Sequence, residues 1–372
     1  MASRAFVATR KGLFTIDRTA AGWRVGDVAH LGDNLSIVAP DPRDGSVYAA
    51  IGHGHFGVKL HRSTDAGRSW QPIGTPTYPP YPQDRPPETD GFGRPLPWTL
   101  HMVWCIEPGG RDEPGTLWAG TLPGGLFVSR DHGATWELNR PLWDHPSRRK
   151  WFGGGYDLPG IHSICVDPRD ARHVTLGVSC GGAWATRDGG QTWACKATGM
   201  RAEYVPPEQA GDPDVQDPHR LVACPADPDA MWVQHHNGIF RSTDAAESWH
   251  EVPDVAPSTF GFAVAVHPTR PQTAWFVPAI KDERRVPVDG KLVVTRTTDG
   301  GRTFTACAAG LPQGHAYDLV YRHALDVDAA GDTLMFGSTT GSLWVSEDGG
   351  DRWQTVSTHL PPVHCVRFDA QP

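Results

Sequence analysis

The chain has 372 residues, and 34 Lys and Arg against 42 Asp and Glu leave a net charge of -8. There is no basic run to suit nucleic acid and no stretch of about 18 apolar residues to suit a membrane span. The 15 Trp exclude a disordered chain, and 42 Gly with 34 Pro fit many short strands joined by tight turns. Seven Cys without a CxxC pair, and a start (residues 1–14) lacking a hydrophobic stretch of signal-peptide length, point to reduced thiols in the cytoplasm.

The predicted elements begin with three short strands at 5–9, 12–17 and 22–25, around a degenerate turn. A repeating unit follows. Each copy opens with an apolar strand ending in a turn, often Asp-Pro, then a second strand, as in Ile37–Pro42 leading to Val47–Ala50. A third strand runs into an eight-residue turn, and a fourth leaves it. The turn occurs at 63–70, 129–136, 186–193, 242–249, 297–304 and 346–353, with the pattern Ser/Thr-x-Asp-x-Gly-x-Ser/Thr-Trp. Its aspartates are Asp65, Asp131, Asp188, Asp244, Asp299 and Asp348. Their carboxylates suit Asx-type acceptance from backbone N–H groups, and the Gly supplies a left-handed position. These aspartates are therefore read as structural and not catalytic.

Four strands per unit of roughly 50 residues is the signature of a propeller blade. First strands are expected near 35, 101, 162, 219, 261, 317 and 363, which makes seven. The last, at 363–369, has nothing after it, and the segment 5–30 lacks a first strand. The two together would complete blade 1 and remove the exposed sheet edges. The expectation is an all-β, seven-bladed propeller of one domain over 1–372, with insertions at 72–100, 139–161 and 197–218 forming a lid.

The six turns resemble the Asp-box (BNR) repeat of sialidases, sortilin-type receptors, xyloglucanases and photosystem II assembly factors. The resemblance implies that the turns lie on the face away from the active site. It does not carry sialidase activity with it, because the sialidase Arg-Ile-Pro signature is absent and three channel-facing arginines cannot be assembled.

On the opposite face the histidines gather. His101, His162, His219 and His364 stand at or just before first strands, and Asp318 holds that place in the seventh blade, with His315 three residues earlier. Such a ring suits a divalent or redox metal such as Zn, Cu, Fe, Mn or Ni. The four histidines are the expected ligands, with Asp318 or His315 as base or further ligand. His53, His55, His235, His236, Arg10 and Tyr204 lie in neighbouring loops and are the expected substrate contacts.

The function expected first is a metal-dependent enzyme acting on a small molecule, hydrolytic or redox. A glycoside hydrolase is the alternative. It would need paired carboxylates, with Asp33, Asp157, Glu203, Glu208 and Asp318 on the appropriate face and aromatic loops to stack sugars. A non-catalytic binding or assembly propeller is the third class. The partner is a small molecule or saccharide, with neither nucleic acid nor membrane.

Overall fold

The structure is a computed structural model and describes residues 2–84, 86–90 and 93–369. Seven four-stranded antiparallel sheets follow one another around a central channel. Blade 1 takes its innermost strand, Val363–Phe368, from the far end of the chain and adds Arg4–Thr9, Gly12–Thr19 and Gly22–Ala29. Blades 2 to 7 open with Asn34–Pro40, Met102–Pro108, Gly160–Val166, Pro218–Cys224, Gly261–Val266 and Leu325–Val327. The inner and second strands are near-continuous apolar runs because both of their faces pack against neighbouring blades. Among the described residues no helix is long and apolar enough to cross a membrane. All seven cysteines are unpaired.

Five of the six repeated turns share one full hydrogen-bond pattern, and the sixth, at Asp348, keeps all of it but one hydroxyl bond, because Arg352 stands in the place of the Ser or Thr. At Asp131, one carboxylate oxygen accepts from the Thr135 N–H at 2.8 Å and from the Ser129 hydroxyl at 2.8 Å, and the other accepts from the Thr135 hydroxyl at 2.6 Å. The Ser129 hydroxyl in turn accepts from the Gly133 N–H. This satisfies in place the polar groups that a tight turn would otherwise leave open. The aromatic that ends the turn then clamps adjacent blades. Trp136 donates to the Gly74 carbonyl, Trp193 to Asn139 and Trp249 to the Lys196 carbonyl. The turn needs a left-handed residue where five copies have Gly. In the fourth copy Ala246 takes φ 65° instead.

Two of the positions expected in the ring are occupied by other residues. In blades 1, 2, 3, 4, 6 and 7 the turn closing the inner strand is marked by a backbone N–H bonded across it, from Asp369, Asp41, Gly109, Asp167, His267 and Asp328. Five residues before these stand His364, Ser36, Trp104, His162, Phe262 and His323, and in blade 5 the matching residue is His219. In blades 1 to 6 the ladder shifts register at this residue, so each occupies a β-bulge. His101 and Asp318 are therefore displaced by Trp104 and His323. Asp318 lies in an irregular segment ahead of the short inner strand of blade 7, where it accepts from the Ser338 and Thr340 hydroxyls.

The bulged residues latch the blades together. Ser36 donates to the Val103 carbonyl at 2.7 Å, and Nδ1 of His219 and of His364 donates to the Gly261 and Leu35 carbonyls at 2.7 and 2.9 Å. Each acceptor is the residue just before the next blade's own bulge. This geometry accounts for polar side chains at bulge positions without any ligand.

The channel widens toward the Asp-turn face into a cavity of about 900 Å³ that includes Glu107, Arg220, Asp326 and Arg367. Burial pushes the Glu107 carboxyl up to about 7, with Arg367 and Arg220 pulling it down and Asp326 and Asp41 adding to the rise. The folded chain thus holds this proton more tightly than the unfolded chain. The resulting stability is complete below about 4.5, the unfolded value, and is lost as pH rises through about 7. Glu107→Gln, neutral at every pH, is expected to match the parent near pH 4. By pH 8 it should exceed the parent by about 3 kcal/mol in denaturant melts.

Candidate functional site

On the face opposite the Asp turns, loops from blades 4, 5 and 6 enclose a pocket of about 130 Å³. Its lining includes Phe152, Cys180, Tyr204, Asp217, His219, His236, Phe262, Asp282 and Arg285. The long insertions build one wall. They are pinned by aromatic residues that point inward: Tyr78, Trp143 and Trp151 are buried, and Trp151 packs on Trp184 of blade 4. These rings anchor the insertions and are not available to a sugar. Tyr204 and Tyr156 are the ones left exposed.

Asp217 organises the pocket. It sits immediately before the inner strand Pro218–Cys224, and its side chain is 3% exposed. One carboxylate oxygen accepts from the Cys180 N–H at 3.1 Å and the Ser179 hydroxyl at 3.3 Å. The other faces two imidazoles, with Nε2 of His219 at 3.4 Å and Nδ1 of His236 at 3.5 Å. Burial alone would raise this carboxyl. His219, His236 and Arg322 outweigh it and hold Asp217 well below the usual carboxylate range. Burial also lowers His219. For His236 burial is outweighed by Asp217, and the imidazole is raised.

The backbone is built to hold Asp217 in place. Nε2 of His235 accepts from the Asp217 N–H at 3.0 Å, and the His236 N–H donates to the Asp217 carbonyl at 3.0 Å. Cys180, which donates to the carboxylate, does so from a left-handed turn at φ 45°, an unfavourable conformation for a side chain with a Cβ. His219 stacks on Phe262 at 4.4 Å and 12°. Tyr204 donates to the Val215 carbonyl and lays its ring edge against His236 at 5.0 Å.

Beneath the pocket Arg322 fills the channel, stacked between Trp104 at 4.9 Å and Phe262 at 5.2 Å. It is 6% exposed, and its Nε and Nη2 find no hydrogen-bond partner. A buried charge left this way costs folding energy. Arg322→Met is therefore expected to melt at the same temperature as the parent or higher, while weakening the ionisation of Asp217. A thermal melt that drops by several degrees would show the guanidinium to be a net stabiliser.

The structure thus brings His219, His236 and Tyr204 together around a residue, Asp217, that the sequence reading did not single out. Among the described residues, Asp217, His219 and His236 are the only set of three or more potential ligands whose donor atoms lie within 4.8 Å of one another. His101, His162, His219 and His364 do not meet in that way. His162 is fully buried beside Trp104, His101 is exposed, and His364 faces blade 2. His235 is buried and supports the backbone. His53 pairs with Asp33, and His55, Arg10 and His315 are exposed away from the Asp217 pocket. Asp157, Glu203 and Glu208 are likewise absent from its lining, where the carboxylates are Asp217 and Asp282.

No protein-family profile matches the sequence. The chain is 27% identical over 266 residues to an oligoxyloglucan-reducing end-specific xyloglucanase of Emericella nidulans. That alignment takes in 69% of this chain and 27% of the fungal protein. Among solved structures, a GH74 xyloglucanase from Xanthomonas campestris superimposes with a TM-score of 0.64 at 17% identity, covering 96% of this chain and 53% of that one. A periplasmic gluconolactonase of Pseudomonas aeruginosa superimposes with a TM-score of 0.58 at 13% identity, with 99% of each chain covered. The structural likenesses show the seven-bladed propeller, and the chain spans about a quarter of the length of the curated relatives it matches.

Proposed function

We propose that the protein is a glycoside hydrolase that takes one end of a saccharide into the Asp217 pocket. The observation that carries this reading is the Asp217 carboxylate itself: buried, held toward its ionised form by His219, His236 and Arg322, and lining a pocket that a second carboxylate, Asp282, also lines. Glycoside hydrolysis passes through a transition state with positive charge on the sugar ring, and it uses a pair of carboxyl groups. A fixed negative charge in a dry, low-dielectric site stabilises that charge without reorganisation. Asp282 is tied to Arg285 at 2.5 Å at the pocket edge. At about 130 Å³ the pocket is smaller than the roughly 300–1,000 Å³ of sites for drug-sized ligands. It therefore suits a chain terminus. The alignment with xyloglucan-cleaving enzymes supports the substrate class.

The test is turnover of a panel of aryl-glycosides and plant-wall oligosaccharides by purified protein, with Asp217→Asn as the matched control. Release of sugar by the parent and its loss in the variant support the reading. A parent that neither binds nor cleaves any member of the panel overturns it.

A further inference from the structure

We propose that Asp217, His219 and His236 form a binding site for one divalent transition-metal ion, open to the pocket on its remaining side. The inference rests on the reading of this pocket as the functional site and adds a cofactor to it. Two independent observations lead there.

The first is the convergence of three ligand atoms within 4.8 Å of one another, two imidazole nitrogens and one carboxylate oxygen. Two histidines and a carboxylate are a common first-row metal set, and three protein ligands leave a coordination position for water or substrate.

The second is the tautomer of His219. Its Nδ1 lies 2.7 Å from the Gly261 carbonyl oxygen, which only accepts, so Nδ1 carries the hydrogen. In a neutral ring Nε2 then presents a lone pair, 3.4 Å from a carboxylate oxygen that also presents lone pairs. Two acceptors do not face each other in a buried pocket without a cation or a proton between them. A ligand histidine whose other nitrogen donates to a backbone carbonyl is the usual supporting arrangement of a metal site. The same geometry makes His219 differ from His364. Both latch onto the next blade, but Nε2 of His219 faces the Asp217 carboxylate, whereas His364 forms no ion pair with any described residue.

The chemistry follows from the position. A bound ion would offset the Asp217 charge, lower the pKa of a coordinated water and polarise a substrate oxygen, so the ion-bound pocket would act through the metal and the ion-free pocket through the bare carboxylate. Cys180 adjoins the site: a Cβ placed on Gly154 would sit 2.6 Å from its sulfur and 3.2 Å from the Asp217 oxygen. Gly154 thus leaves the space above the carboxylate open.

Full-length protein, stripped by chelator and dialysed, is titrated with Zn²⁺, Mn²⁺ and Co²⁺ separately by calorimetry. The Co²⁺ complex is also read by its visible absorption. One equivalent should bind, with affinity falling at least about 10-fold to 100-fold in Asp217→Asn and in His236→Gln. His364→Gln, outside the pocket, should bind as the parent does. Circular dichroism melts of each variant separate lost binding from lost folding. Absence of stoichiometric binding by all three ions, or unchanged affinity in both pocket variants, overturns the inference. Because no saccharide is present, this result is independent of the hydrolase reading: absence of binding would sink the metal site and leave sugar cleavage by metal-free protein intact.

Discussion

Asp217→Asn is expected to lower saccharide turnover by at least about 100-fold, in line with the loss of one preorganised catalytic charge, while lowering the melting temperature without unfolding the protein, because a carboxyl held below its usual range stabilises the fold when ionised. The substitution keeps the shape of the side chain. It preserves acceptance from the Cys180 N–H and the Ser179 hydroxyl through the amide oxygen. It removes the negative charge that faces His219 and His236. It also turns the second carboxylate oxygen into a donor, which suits the Nε2 lone pair of neutral His219. Folding should therefore tolerate the change better than chemistry does. Steady-state kinetics beside a thermal melt checks both halves. If turnover survived, the chemistry would lie elsewhere. The cleft of about 690 Å³ between the first two insertions, lined by Tyr81, Glu88, Trp98 and Asp144, would then be the next place to look.

A chain ended after residue 361 is expected not to fold cooperatively. The missing strand, Val363–Phe368, is the innermost strand of blade 1 and pairs with Arg4–Thr9 from Ala5↔Phe368 to Thr9↔Val363. It also reaches blade 7, where the Val366 N–H donates to the His323 carbonyl at 2.8 Å. Val363 and Val366 are 0% exposed and Phe368 is 7% exposed. At about 1.5–3 kcal/mol for each buried side chain, the three together account for roughly 5–9 kcal/mol. That is comparable to the whole stability of an ordinary domain, about 5–15 kcal/mol. Removing the strand would further expose Ala5, Phe6, Val7 and Ala8, all 0% exposed, along an unpaired edge. Circular dichroism and limited proteolysis of the shortened chain provide the check. A sharp melt near the parent's temperature would mean that the ring does not depend on this closure.

The fold was legible because its signals repeat. Six copies of one turn, each with an Asp to accept and a left-handed position after it, set the blade spacing, and the unmatched strand at 363–369 set the closure. The ring of inner-strand positions was legible to within a register. It slipped in blade 7 because the inner strand there is only Leu325–Val327 and its turn residue is Asp328, not His323. It slipped in blade 3 because Trp104, an apolar residue, fills the bulge that a histidine was expected to fill.

Asp217 stayed hidden for the opposite reason. It stands two residues before the bulge of blade 5, where the other six blades have Asn34, Met102, Gly160, Phe260, Tyr321 and Pro362. A comparison of equivalent positions finds what recurs, and this carboxylate occurs once. The available signal was local: an acidic residue two positions before a ring histidine, in a chain whose next loop carries His235 and His236. The insertions misled in a related way. Their aromatic content suggested a sugar platform, yet Tyr78, Trp143 and Trp151 are spent on holding the loops down.

Hydrogen–deuterium exchange with and without an oligosaccharide that the protein cleaves tests the central claim most directly, because it places the ligand without presuming which residues act. Occupation of the Asp217 pocket predicts protection in the loops at 152–156, 202–206, 216–219, 235–237 and 281–286, with the Asp turns unchanged. Protection confined to the Asp-turn face, to the Glu107 end of the channel or to the 81–98 cleft would contradict it.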